Sequence, residues 1–131
     1  MRLLPVLALI LAGCASDRDA VESRDAERLR AELSMRVAGA AQTCISTPIG
    51  PGSLQAVDDR TLVSRQGGTI WVNRLRATCP SLRPLSTIVI EVYGSQYCRN
   101  DRFRALRPGE IIPGPTCFLG DFTPYRSANA R

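Results

Sequence analysis

Two hydrophobic patterns divide the chain. In the first third, apolar residues recur at Ala26, Leu29, Leu33, Val37 and Ala40, spaced 3, 4, 4 and 3, the stripe of an amphipathic helix. Ala, Glu, Arg and Leu, all strong helix formers, fill the positions between. Asp25 with Arg28, and Glu32 with Arg36, place opposite charges one turn apart, each pair contributing about 0.2–0.5 kcal/mol; the like pair Arg24 and Arg28 opposes them by a similar amount. Such a stripe either docks on a partner or packs on its own domain. The weak charge bias favours a spacer that packs on its own domain.

From Cys44 the texture changes to short runs of alternating polarity separated by turn signals. Residues 54–57 and 61–65 flank Asp58-Asp59-Arg60, a turn of the kind Asp favours. Gln66-Gly67-Gly68 then separates 61–65 from 69–75, a hairpin signal. Within the latter run, Ile70 and Val72 take one face and Trp71, Asn73 and Leu75 the other. Residues 87–93 form the strongest strand, with Ile88, Ile90 and Val92 opposite Val89 and Glu91. Residues 102–106 alternate, and a strand at 117–122 would bring Phe118 and Phe122 together. About six short strands with no helical period between them predict an all-β fold. The expected architecture is a small antiparallel barrel or sandwich, preceded by a short N-terminal helix.

A domain spanning 44–131 has a thin core, with all seven aromatics in the second half of the chain. Four cysteines lie within it, Cys44, Cys79, Cys98 and Cys117, and an even count in an exported chain reads as two disulfides. Of the three possible connectivities, Cys79–Cys98 with Cys44–Cys117 ties a loop to a strand end and the domain's start to its last strand. Each bridge would contribute about 3–4 kcal/mol by loop entropy. A zinc site is set aside because the gaps lack paired CxxC spacing, so no metal and no cofactor is expected.

Composition narrows the chemistry further. The chain has 131 residues, one domain's worth, and its 17 basic residues are all Arg. With no Lys and no His, it lacks the residues of Ser-His-Asp and Cys-His catalysis, Schiff bases and His-ligated zinc. At the N-terminus Arg2 precedes an apolar stretch from Leu3 to Leu11, too short for the roughly 20 residues that span a bilayer. The stretch ends in Leu11-Ala12-Gly13-Cys14, which resembles the bacterial lipobox. That resemblance implies a signal peptide at 1–13 and acylation of Cys14, with fatty chains such as palmitate holding the mature chain on a membrane. Residues 14–43 are then a lipid-anchored tether and amphipathic helix. Ala15, where enteric lipoproteins retained in the inner membrane carry Asp, implies the periplasmic face of the outer membrane.

Several stretches are familiar together: Cys44-Ile45, Val57-Asp58-Asp59-Arg60-Thr61, Trp71-Val72-Asn73-Arg74-Leu75-Arg76, Cys79-Pro80-Ser81-Leu82, Cys98-Arg99-Asn100-Asp101 and Cys117-Phe118-Leu119-Gly120-Asp121-Phe122. Over roughly residues 44–124 the chain resembles an uncharacterised family of small bacterial exported lipoproteins, a domain of unknown function. The resemblance implies no activity, ligand or catalytic residue. Ser81 stands where that family's Cys-Pro-Gly-Leu pattern has Gly, a departure that bears on a turn.

Charge gives the remaining candidates. Residues 44–131 hold eleven Arg against six acids, so the surplus of five lies in the β domain. Arg74 and Arg76 precede Cys79, and Arg99, Arg102 and Arg104 follow Cys98. A Cys79–Cys98 bridge would gather them into a surface for an anionic envelope component, since guanidinium forks suit carboxylate and phosphate. Nucleic acid is not expected at a periplasmic site. Asp58, Asp59 and Asp101 are the conspicuous carboxylates, but adjacent Asp in a turn cap the backbone rather than share one face. Glu91, mid-strand, either faces solvent or pairs with an Arg. The expectation is a non-enzymatic lipoprotein with a structural or partner-binding role; the alternative is an Arg-mediated binding module for an anionic lipid or small molecule.

Overall fold

The structure, a computed structural model, describes residues 17–48 and 53–129. Residues 1–16, with the apolar N-terminal stretch and Cys14, residues 49–52 and residues 130–131 lie outside them. The fold is mostly β, with one N-terminal helix and two disulfides, as the patterning predicts. Its elements are α1 Asp17–Ser34, β1 Arg36–Ala38, β2 Cys44–Ser46, β3 Gln55–Asp58, β4 Thr61–Gln66, β5 Thr69–Arg74, β6 Thr87–Ile90, β7 Gln96–Cys98, β8 Arg102–Leu106, β9 Cys117–Phe118 and β10 Phe122–Ser127. They form a five-stranded sheet in the order β1-β10-β5-β4-β3, a two-stranded sheet β2-β7 and a three-stranded sheet β6-β8-β9. Every pairing is antiparallel.

The five-stranded sheet is the central layer, and strand alternation sorts its side chains into two cores. Val57, Val63, Ile70 and Val72 face α1 and pack with buried Leu29 and the half-buried Ala26 and Leu33. Ala56, Leu62 and Phe122 face the other way and join Ile45, Leu75, Leu82, Phe103, Ala105 and Leu119 in the larger core. That core lies between the central sheet and the two smaller ones. The helical stripe therefore packs on its own domain, but it stops early. The helix ends at Ser34 and the chain turns at Met35. Val37 and Ala40, read as helix stripe, are exposed because β1 instead hydrogen-bonds along the edge of β10.

Turn chemistry sets the central hairpins. Gln66 pairs with Thr69 across a two-residue turn, and Gly67 supplies the left-handed φ of 57°. At the β3–β4 turn Asp58 accepts a hydrogen bond from the Arg60 amide at 2.8 Å, an Asx turn that frees no side chain for other work.

Two expectations give way to the strand register. The bridges are Cys44–Cys98 and Cys79–Cys117, not Cys79–Cys98 and Cys44–Cys117. Cys44 lies directly opposite Cys98 in the β2–β7 pair. Cys79 is fully buried in the larger core, where it meets Cys117 of β9. The strand expected at 117–122 is two strands in different sheets, β9 and β10. Phe118 consequently projects to solvent while Phe122 is buried in the core.

Candidate functional site

The five arginines predicted to share one surface do not. Arg74 lies on the α1 side of the central sheet; there Nη1 reaches Thr61 Oγ1 at 3.5 Å beside a depression of about 350 Å³ floored by Leu29 and Val57. Arg76 lies beyond β5 and its carbonyl accepts from Arg60 Nη2 at 2.8 Å. Arg99, in the turn after β7, meets Asp121 at 3.2 Å. Only Arg102 and Arg104 share a face, the outer side of β8, where the inward neighbours Phe103 and Ala105 are buried. That face lies across the molecule from Arg74. The cause is strand alternation: Arg74 shares the α1-facing side of β5 with Ile70 and Val72, whereas Arg102 and Arg104 point away from the core on β8.

The carboxylates serve structure. Asp101 Oδ2 accepts from the Cys98 amide at 2.7 Å, closing a turn in which Asn100 takes a left-handed φ of 70°. Asp59 donates its amide to Glu22 Oε1 of α1 at 3.0 Å and its carbonyl accepts from the Cys79 amide at 2.8 Å. Glu91 pairs with Arg102 at 2.9 Å in full solvent. Among the described residues no three His, Cys, Asp or Glu come together to hold a metal ion.

A larger concavity than the one beside Arg74 lies elsewhere. β3 ends the central sheet and β6 ends the three-stranded sheet, so among the described residues each is hydrogen-bonded on one side only. These two open edges border a groove of about 450 Å³. Leu54 and Ala56 from the β3 side, Ile88 and Ile90 of β6 and Tyr97 form its apolar lining. Hydroxyls of Ser53, Ser86 and Thr87 and the carboxylate of Asp25 give it a polar rim. Its chemistry is apolar contact and hydrogen bonding.

Leu85 stands at the mouth of the groove and is unusual in two ways. Its φ is 67°, and 85% of its surface is exposed. A left-handed bulky residue costs about 1–2 kcal/mol, and such strain concentrates at binding segments. Here it holds an apolar side chain in water beside an apolar groove. The sequence reading finds β6 but not its place at an edge, because edge position depends on which strands it fails to meet. Leu85 has no pattern signal at all.

The chain matches no protein-family model, no curated protein and no solved structure.

Proposed function

We propose that this is a non-catalytic, lipid-anchored periplasmic protein of the small exported-lipoprotein kind, which binds a partner polypeptide in the β3–β6 groove. The observation that carries the reading is the groove bounded by two strand edges with one hydrogen-bonded side each. An open edge presents backbone N–H and C=O groups at the repeat of another extended chain, and alternate side chains of that chain drop into pockets beside it. Ile88 and Ile90 line such a pocket at the strand period of two. The exposed Leu85 adds an apolar lip. The absence of Lys and His from the sequence, together with the structural work done by the Asp58 and Asp101 carboxylates, supports binding over catalysis.

Site-specific photocrosslinking tests it. A photoreactive residue replacing exposed Thr87 in the living host is expected to give one discrete adduct. Adding Ile90→Asp, which puts a charge in the groove wall, should abolish that adduct while the protein's level holds. An adduct unaffected by Ile90→Asp would place the partner elsewhere. Intact mass of the exported chain tests the anchor: acyl chains on Cys14 are expected, and an unmodified Cys14 would refute it.

A further inference from the structure

We propose that the outer face of the β6-β8-β9 sheet rests on an anionic lipid bilayer, a contact separate from the groove. Strand register builds this face. Val89 lies opposite Arg104, and Arg102 lies opposite Phe118. Antiparallel partners point to the same side, so an apolar side chain and a guanidinium sit together twice across β8. The inner side of the same strands is spent on the core through Ile88, Ile90, Phe103 and Cys117. Among the described residues nothing covers the outer side: Val89 is 52% and Phe118 53% exposed.

Tyr93 extends the face. It is 75% exposed and stands beside Arg102, whose pKa it and Glu91 raise above the ordinary value. Arg104 donates to Thr116 Oγ1 at 3.4 Å and has no carboxylate partner among the described residues. One neutralised and one free guanidinium leave the face positive.

The chemistry matches one occupant. A soluble acidic partner would engage the guanidiniums but leave Phe118 and Val89 in water. An anionic bilayer takes both: phosphate heads receive the arginines bidentately, and apolar and phenolic side chains enter the interfacial zone. A single weak membrane contact is marginal, and a basic patch beside an acyl anchor is the familiar remedy. The inference uses the anchor of the previous section only to bring the sheet near a membrane.

Brominated-lipid quenching decides it, using the exported full chain mixed with vesicles. Phe118→Trp puts an indole on the face, while Met35→Trp puts one on the exposed turn after α1, on the helix side; the native Trp71 signal is subtracted from both. Vesicles of phosphatidylcholine with phosphatidylglycerol should quench the first indole strongly and the second weakly. Pure phosphatidylcholine should quench neither strongly. Arg104→Glu should weaken the anionic-vesicle response at least fivefold. Equal quenching at both positions, equal quenching in both lipids, or none, overturns the proposal. Acylation of Cys14, read by mass, separates the two readings. Quenching without acylation refutes the anchor and keeps the face, whereas acylation without quenching refutes the face alone.

Discussion

Asn73 and Gly120 hold each other by a reciprocal pair of hydrogen bonds: Asn73 Nδ2 donates to the Gly120 carbonyl at 2.7 Å and the Gly120 amide donates to Asn73 Oδ1 at 2.9 Å. Asn73 has no exposed surface, so the pair operates out of water. It locks β5 to the turn between β9 and β10 and so joins the central sheet to the second layer. Asn73→Ala leaves two buried backbone groups unsatisfied and should cost about 2–4 kcal/mol by chemical denaturation. Asn73→Asp keeps one bond and forfeits the other, and should fall between. Gly120→Ala should also destabilise, since a Cβ there collides with the Arg74 carbonyl.

Acid should loosen the helix first. Arg65 of β4 grips Glu32 of α1 at 2.8 Å and holds its carboxyl below the ordinary value of 4.5. Above 4.5 the carboxylate is ionised in folded and unfolded chains alike, and the ion pair's stabilisation is fully present. As pH falls through the lowered value the folded carboxylate takes up a proton and the stabilisation is lost. The pair is partly exposed, so the effect is about 0.2–1 kcal/mol. Denaturation midpoints of wild type and Glu32→Gln should differ well above pH 4.5 and converge well below it.

Non-reducing peptide mapping should recover the fragment holding Cys44 joined to that holding Cys98, and Cys79 joined to Cys117. The loops span 54 and 38 residues. Replacing both members of either pair with Ala should lower stability by about 4 kcal/mol. Recovery of Cys79 joined to Cys98 would refute the β2–β7 register.

Ser81 is a buried polar residue that needs no left-handed backbone. Left-handed backbone among the described non-glycine residues occurs at Leu85 and Asn100, and Ser81 is not among them. Its side chain is buried against Gly114, where any Cβ would collide with it, and its hydroxyl has no partner among the described residues. A buried unpaired hydroxyl costs about 1–3 kcal/mol. Ser81→Ala should therefore raise the melting temperature. Ser81→Gly should raise it less, because Gly gives back about 0.5–1 kcal/mol in chain entropy.

Leu85 should separate stability from binding. Leu85→Gly relieves the left-handed strain and should stabilise by about 1 kcal/mol. The same change removes the groove's apolar lip and should weaken the photocrosslink from position 87. A variant more stable and equally crosslinked would take Leu85 out of the binding surface.

Local rules made much of this fold legible. The period of two in 69–75 correctly divided Ile70 and Val72 from Trp71 and Leu75, and Gly67-Gly68 marked the central hairpin. What escaped were relations between distant segments. β1, β2 and β7 have three residues each, too few to show alternation, and they settle where the helix ends and which cysteines meet. The run at 117–122 looks continuous because Phe118 and Phe122 are both apolar, but Asp101, Asn100 and Asn73 hydrogen-bond the intervening backbone and bend it between sheets. The groove arises from two strands that each keep one open edge, a property of the assembled topology and not of any run of residues.

Both disulfide loops begin at or after Cys44, whereas α1 and β1 precede it. A pull on the amino-terminal side would therefore be borne by non-covalent contacts alone. Peeling β1 from β10 and lifting α1 from Val63, Ile70 and Val72 would release 27 residues of slack, from Asp17 to Thr43, before any cross-linked segment is loaded. Residues 17–43 would thus yield first under tension, while the covalently closed portion keeps its shape.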